Sequence, residues 1–461
     1  MRLSIIILAA GQGTRMCSAI PKVLHRIGGK PLLEHVIETA ADMRPRSVQV
    51  VYGHGGQAVP EALRQHQVIW VEQSEQLGTG HAVAQALPAV ADDQQVLILF
   101  GDVPLITTQT LTRLCAVADD KALGLLTAQL DCPQGYGRIL RDAVGRVTGI
   151  VEEKDANEAQ RRVTEINTGF LAAPAYRLKA WIEALDNINA QGEYYLTDVI
   201  GLAAADGVSI RTVSPSDTGE IRGVNNRLQL AELERAYQRR EANRLMMEGV
   251  TLRDPARFDL RGKLTAGTDV CIDVDVVLEG AVRLGDRVSI GPGCFIRDSE
   301  IGDDVEVQPR CVIEGARIGA AARIGPFARL RPETRLGDRV HVGNFVEIKK
   351  SDVGTQSKIN HLSYIGDTKI GERVNVGAGT ITCNYDGANK HQTVIGDDVF
   401  IGSDTQLVAP VKVGAGATIG AGSTITRDTP AGELTLSRAP QMTRPGWKRP
   451  VKRVRRAEGE A

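Results

Sequence analysis

Aromatic residues are scarce: Phe, Tyr and Trp together make up 4% of the 461 residues, although 42% are hydrophobic. Such a chain builds its core from small aliphatic side chains, and its 49 glycines point to repetitive, tightly turned structure rather than disorder. The seven cysteines are scattered, odd in number and without a Cys-x-x-Cys pair. That argues against a disulfide framework or a zinc site and for a reducing, cytoplasmic setting. Neither charge sign dominates, with 55 Lys plus Arg against 56 Asp plus Glu and a net charge of -1. No global case exists for nucleic-acid or membrane binding. No run approaches the ~20 apolar residues of a membrane span. At this length one core is too few, and two domains are the prior.

The longest apolar stretch near the start is IIILAAGQGTRM, residues 5–16, preceded by Arg2. It imitates a secretory signal, but its apolar run is short and is followed by Gln, Thr and Arg. A buried parallel strand ending in a glycine-rich turn explains the same residues better. A P-loop needs Gly-Lys-Ser/Thr, whereas Gly13 precedes Thr14-Arg15; the dinucleotide fingerprint needs a third glycine where Met16 stands. On local pattern alone this is a strand-turn-helix in which a structural turn and a phosphate cradle both stand, the cradle somewhat favoured.

With PKVLH at 21–25, the combination LAAGxGTRM…PKxL resembles the signature of the sugar-nucleotide pyrophosphorylases. The resemblance implies that Leu8, Ala9, Ala10 and Gly11 wrap a nucleoside triphosphate while Arg15 and Lys22 neutralise phosphate. It also implies that Gln73, Gly78 and Thr79 in VEQSEQLGTGHAV read the uracil edge. LILFGDVPLI delivers Phe100, Gly101 and Asp102 at a strand's C-terminal end, where ligands of open parallel sheets gather. Relatives often carry Tyr at the position of Phe100, a tolerable change. GYGRI, IVEEKDA, EINTGF and GVNNRLQL place Gly137, Glu152, Asn167 and Asn225 at the family's sugar-nucleotide positions. Asp102 and Asn225 are the implied Mg²⁺ ligands. The implied reaction is attack of a sugar-1-phosphate oxygen on the α-phosphorus, expelling pyrophosphate by positioning and charge stabilisation, without a protein nucleophile.

From residue 227 the texture changes. RLQLAELERAYQRREANRLMMEG has apolar residues at helical spacing and reads as a connecting helix over 227–248. Beyond it, Ile395, Ile401, Leu407, Val413, Ile419 and Ile425 stand six apart, and aliphatic-glycine pairs such as Leu284-Gly285 and Ile318-Gly319 recur. A six-residue period is the signature of a hexapeptide parallel β-helix, with the aliphatic residue inward and glycine helping each corner. The stretch 378–393 breaks the hexads, as an inserted loop on one face does. The fold expected is an α/β nucleotidyltransferase domain with a mostly parallel sheet (1–226), the linker helix, and a left-handed parallel β-helix (249–461).

The insertion, NHLSYIGD (360–367) and FVEIKK (345–350) resemble the bacterial bifunctional family that joins N-acetylglucosamine-1-phosphate uridylyltransferase to glucosamine-1-phosphate N-acetyltransferase, across essentially the whole chain. By that resemblance His361 is the general base that deprotonates the sugar amine, a task suited to a side chain titrating near neutrality. Arg331, Lys349, Tyr364 and Asn375 hold glucosamine-1-phosphate; Ala378, Asn384, Tyr385, Ser403, Ala421 and Arg438 hold acetyl-CoA. The implied partners are UTP, N-acetylglucosamine-1-phosphate, glucosamine-1-phosphate and acetyl-CoA, with no nucleic acid or membrane, in a homotrimer built through the β-helix. The product, UDP-N-acetylglucosamine, feeds peptidoglycan and lipopolysaccharide precursors. Two other readings stand beside this one: a single nucleotidyltransferase with a scaffold β-helix, and a non-catalytic sugar-nucleotide sensor. The basic stretch WKRPVKRVRR (447–456) reads as a solvated tail.

Overall fold

The computed structural model describes residues 2–452. The chain forms two compact units, Met1–Thr265 with Ile272–Val282, and Ala266–Cys271 with the chain from Arg283 onward. Among the described residues no helix is long and apolar enough to cross a membrane.

The first unit is built on a nine-stranded sheet. In chain order its strands are β1 (Arg2–Leu8), β2 (Ser47–Tyr52), β3 (Ile69–Glu72), β4 (Gln94–Phe100), β5 (Ala122–Gln129), β6 (Arg138–Arg141), β7 (Val147–Val151), β8 (Glu165–Pro174) and β9 (Ser209–Val213). The main order is β9-β5-β8-β4-β1-β2-β3, with the β6-β7 hairpin attached to β8. β1 runs parallel to both β2 and β4, and β8 is antiparallel to β4 and β5. The continuous apolar run of β1 is used on both faces. Ile5 and Ile7 join one core with Val36, Leu97 and Phe170, while Ile6 and Leu8 join another with Val83, Ile98 and Trp181. Burying each such side chain contributes about 1.5–3 kcal/mol, which favours a two-sided strand over the exposed segment of a leader. A third cluster of Met16, Ile27, Leu32, Leu105, Val224 and Leu233 packs beneath the glycine-rich turn. The predicted long helix is Arg227–Met247, started by the Asn226 side chain accepting from Gln229 N–H.

The second unit is a left-handed parallel β-helix. Short rungs stack in parallel register at steps such as Ser289↔Glu306, Glu306↔Arg323, His341↔Lys358 and Lys358↔Asn375. Ile395, Ile401, Leu407, Val413, Ile419 and Ile425 are all buried, as the hexad pattern requires. Glycine serves the corners in two ways, as the hexad pattern leads one to expect. The glycines after the aliphatic residues give room: a Cβ on Gly285 or Gly371 would sit 2.2 Å from the aspartate of the next coil. The left-handed backbone falls two residues later, on glycine itself at Gly293, Gly379, Gly416 and Gly422, and on other residues at Arg287, Asp304, Ala321, Arg339, Arg373 and Asp398. Arg287 and Arg373 carry that strained conformation while ion-pairing Asp304 and Asp398 of the following coil at 2.6 and 2.7 Å. The interruption is also narrower than the sequence suggests. Ile381–Cys383 and Thr393–Ile395 remain rungs, so the excursion is the loop 384–392, closed by a Tyr385↔Lys390 bridge. Within the tail, 447–452 are exposed and 453–456 lie outside the described residues.

Candidate functional site

Leu8 is level with Val51 on β2 and with Phe100 on β4, so the loops that follow these three strands open at one edge of the sheet. Backbone bonds knit them: Ala9 N–H donates to Val51 O (2.8 Å) and Gly101 N–H to Leu8 O (2.9 Å). Gly13 closes the first loop at φ +63, where a Cβ would stand 2.7 Å from Lys22 Cβ; glycine is required to fold the turn onto that lysine. The result is a cleft of about 480 Å³ lined by Leu8, Ala9, Ala10, Gly11, Lys22, Gln73, Gly78, Thr79, Phe100 and Asp102. Gly101 stands between two of these, Phe100 and Asp102. Arg15 does not line the cleft; it is exposed on the single turn Thr14–Met16. Gln76 and Glu193 also line the cleft. The sequence reading passed over both, because one Gln or Glu in a loop carries no signal of its own.

At the cleft floor, Lys22 Nζ lies 2.5 Å from Asp102 Oδ2 and 3.3 Å from Asn225 Oδ1. Val224 N–H donates to Asp102 O (3.0 Å), which fixes the 223–225 loop against the end of β4. Two oxygens from distant segments thus converge on one cation. Among the described residues no cluster of three or more His, Cys, Asp or Glu forms a metal cage. One carboxylate plus one amide oxygen is the sparse donor set that Mg²⁺ uses when substrate phosphates complete its shell.

A second chamber of about 260 Å³ shares Thr79 and Phe100 with the cleft and holds Gly137, Glu152 and Asn167. Gly169, at φ +88, passes so close to the Phe100 ring that a Cβ would lie 2.4 Å from it. Asn167 N–H donates to Gly137 O (2.8 Å), and Thr197 Oγ1 to Glu152 Oε1 (3.1 Å). Burial pushes the Glu152 carboxyl above its ordinary value, with Asp198 and Asp155 adding to the rise and Thr197 opposing it. A folded-state value raised above the unfolded one costs no stability well below the unfolded value, a growing amount as the pH rises from the unfolded to the folded value, and the full amount above it. Glu152→Gln is therefore expected to raise Tm at pH 8, with a gain that fades towards pH 4. A gain that stays constant with pH overturns that account.

In the second unit one corner of the solenoid gathers the other candidates. Leu362 N–H donates to Asn344 O (3.1 Å), Gly379 N–H to His361 O (3.3 Å), Asp404 N–H to Ala378 O (2.7 Å) and Gly422 N–H to Ser403 O (2.8 Å). Asn344, His361, Ala378, Ser403 and Ala421 thus occupy the same corner of successive coils. Arg438 Nη1 donates to Ala421 O (2.7 Å) and ends the row. At the spacing of adjacent strands, His361 to Ala421 spans about 14 Å, room for an extended ligand along the row. The His361 ring is exposed, and its Nδ1 lies 2.8 Å from Asn344 Oδ1. An amide oxygen only accepts, so Nδ1 carries the proton and Nε2 keeps its lone pair for a base's work.

Beside that row, Arg331 donates to Glu347 (2.9 Å), Glu347 is in register with Tyr364, and Lys349 with Gly366. The Lys390 ammonium of the inserted loop holds Lys349 below its ordinary value, and Arg331 adds to the effect. Three cations brought together, one of them paired with Glu347, can hold an anion, and Lys390 is the member that sequence reasoning missed. Gly366 was missed too: a Cβ there would meet Tyr364 Oη at 2.5 Å and Asn384 Nδ2 at 2.7 Å. Asn384 anchors the loop by donating to Asp367 (2.6 Å), while Tyr385 is exposed beyond it. Asn375 stands on the rung between Lys358 and Phe400.

Residues 5–163 match the MobA-like NTP transferase domain, 260–351 the GMPPB C-terminal domain and 392–427 the bacterial transferase hexapeptide (six repeats). The chain is 59% identical over 450 residues to the bifunctional protein GlmU of Azoarcus sp. (strain BH72), covering 98% of this chain and 100% of that protein. It is also 59% identical over 457 residues to the bifunctional protein GlmU of Alkalilimnicola ehrlichii, covering 99% and 98%. The chain belongs to the bifunctional GlmU family. Both regions described above fall within the span shared with these GlmU proteins. Among solved structures, UDP-glucose pyrophosphorylase complexed with UDP-glucose aligns over 52% of this chain and all of its own, with 16% identity and a TM-score of 0.43.

Proposed function

We propose that the chain is a two-site transferase making UDP-N-acetylglucosamine: acetyl transfer from acetyl-CoA to glucosamine-1-phosphate, then uridylyl transfer from UTP to the N-acetylated product. The observation that carries this reading is the near-full-length GlmU identity, which takes in both the sheet-edge cleft and the corner row. We assign uridylyl transfer to 1–226, the link to 227–248 and acetyl transfer to 249–461.

In the acetyl-transfer site, Arg331, Lys349 and Lys390 bind the sugar phosphate, and Tyr364 and Asn375 orient the sugar. The amine attacks the thioester carbonyl, forming the C–N bond as the C–S bond to CoA breaks. His361 Nε2 takes the ammonium proton, with Nδ1 held by Asn344. Ala378, Ser403, Ala421 and Arg438 align the CoA chain, with Asn384 and Tyr385 beside the acetyl end. In the other site the backbone of 8–13 and Lys22 hold the triphosphate, Gln73, Gly78 and Thr79 face the base, and Gly137, Glu152 and Asn167 enclose the sugar. Asp102 and Asn225 would hold Mg²⁺, which neutralises charge on the reacting phosphates. Lys22 is then freed to turn from Asp102 to a phosphate oxygen. The phosphate oxygen of N-acetylglucosamine-1-phosphate attacks the α-phosphorus and pyrophosphate leaves.

The scattered cysteines, odd in number and without a Cys-x-x-Cys pair, support a cytoplasmic enzyme, and the stacked, exposed Phe327 and Phe345 rings (5.4 Å) with exposed Leu362 on the solenoid support its homotrimer. Two assays on the purified chain test the function: CoA release from acetyl-CoA and glucosamine-1-phosphate, and pyrophosphate release from UTP and N-acetylglucosamine-1-phosphate. Both are expected. Pyrophosphate without CoA makes the β-helix a scaffold, and neither makes the chain a sensor.

A further inference from the structure

Gln73 follows directly on β3, with its N–H donating to Tyr52 O (2.7 Å), and its side chain is 97% withdrawn from solvent (relative exposure 3%) while lining the cleft. Both hydrogens of its amide are committed. Nε2 donates to Gly78 O at 3.2 Å and to His81 Nδ1 at 3.0 Å, within the same short segment. A backbone carbonyl only accepts, so the Gly78 contact settles which end of the carboxamide is nitrogen. His81 must then offer a lone pair at Nδ1 and carry its proton on Nε2, which lies 3.1 Å from Gln85 Nε2. Two donors cannot share that contact, so with this tautomer the exposed Gln85 carboxamide is the group that turns over to present its oxygen, giving up its 3.5 Å contact to His81 O. No described group donates to Gln73 Oε1, which is left as an acceptor in the cleft wall.

We propose that His81 is a specificity-determining positioning residue. By accepting from Gln73 Nε2 it turns the Gln73 oxygen into the cleft, so that the site takes a base presenting an N–H donor, as uracil does at N3, and rejects cytosine, whose N3 is an acceptor. The inference rests on the nucleotidyltransferase reading and deepens it. Bringing an N3 lone pair against the Gln73 oxygen leaves two acceptors facing each other in a desolvated pocket. To avoid that, the carboxamide must rotate, and rotation sets its oxygen against both Gly78 O and His81 Nδ1. Sites built to pair a substrate N–H discriminate strongly for this reason. His81 touches neither base nor phosphate; its effect passes through Gln73 alone. Removing its lone pair leaves Gly78 O as the one restraint on the amide.

The test compares kcat/KM for UTP and CTP, with N-acetylglucosamine-1-phosphate and pyrophosphate release, in wild type, His81→Ala and His81→Asn. Alanine removes the acceptor, whereas the asparagine Oδ1 falls near the place of the imidazole Nδ1 and keeps it. The UTP-to-CTP ratio is expected to fall about tenfold or more in His81→Ala and to return to within about threefold of wild type in His81→Asn. Equal losses for both nucleotides in the alanine variant, or an asparagine variant as unselective as alanine, overturn the proposal. Should the alanine variant not fold, wild type carries the test with 3-methyluridine triphosphate, which lacks the N3 hydrogen. Turnover no better than with CTP upholds the acceptor role of Gln73, and turnover equal to that with UTP overturns it. A wild type that releases no pyrophosphate from any of these nucleotides defeats the nucleotidyltransferase reading itself, a result distinct from an active enzyme that ignores the difference between UTP and CTP.

Discussion

Replacing His361 with alanine is expected to lower CoA release from acetyl-CoA and glucosamine-1-phosphate by about 10²–10⁴-fold, the range of a lost general base, and to leave pyrophosphate release unchanged. The fold gives little reason for any other loss. The His361 side chain is exposed, and its one side-chain hydrogen bond is to Asn344, so truncation opens no cavity and strands no buried polar group. The rung Lys358–His361 is held by its backbone pairing with His341–Asn344 and Asn375–Val376, which an alanine preserves. Tm is therefore expected to stay within a degree or two of wild type. A histidine that merely satisfies a solenoid corner would give the opposite pattern, a change in stability with CoA release intact. A fall of less than about tenfold moves the base elsewhere on the row. The assay also divides the roles at one imidazole. If Asn344 fixes the tautomer, Asn344→Ala retains part of the rate, because the ring nitrogen that takes the proton is still present.

Much of this arrangement is legible in the chain because its causes are local. The hexads are visible because each inward aliphatic residue, from Ile395 to Ile425, answers to the same buried position in a repeating coil. β1 is visible because a strand buried on both faces has no polar alternation to hide it, and the turn after it because Gly13 must fold onto Lys22. What is not legible depends on register. Nothing in the spacing of His361, Ala378, Ser403 and Ala421 announces one corner, since the loop 384–392 lengthens one coil and breaks any constant interval. Lys390 lies inside that loop and meets Lys349 only through the solenoid's stacking. The corner chemistry was legible in part: glycine marks the place, but in many coils the left-handed residue is not glycine, as at Arg287, Asp304 and Ala321, and the sequence does not reveal that strain. Arg15 belongs with the residues whose place depends on the fold: the resemblance implies a phosphate role for it, and the structure sets it exposed on the turn Thr14–Met16, beside the residues that line the cleft.

Asp102→Asn is expected to reduce pyrophosphate release by about 10²–10³-fold, the cost of removing one well-placed electrostatic group, with CoA release at the wild-type level. Asparagine preserves the shape of the side chain. The backbone that positions it is held independently, by Gly101 N–H on Leu8 O and Val224 N–H on Asp102 O. What disappears is the negative charge, and two consequences follow with different signatures. Lys22 loses its ion-pair partner 2.5 Å away and keeps the weaker contact to Asn225 at 3.3 Å, which leaves the ammonium freer to meet a phosphate. The same change deprives the cation point of its one carboxylate, leaving two neutral amide oxygens that Mg²⁺ prefers far less. If charge at the cation point governs the rate, the Mg²⁺ concentration for half-maximal activity rises along with the loss. Lys22→Ala, by contrast, is expected to lower the rate while leaving the Mg²⁺ requirement nearly unchanged, since it clears a competing cation from Asp102 and Asn225. An Asp102→Asn enzyme with wild-type Mg²⁺ dependence would make Asp102 a partner for Lys22 rather than a metal ligand, and the pair a latch that holds the lysine until the triphosphate arrives.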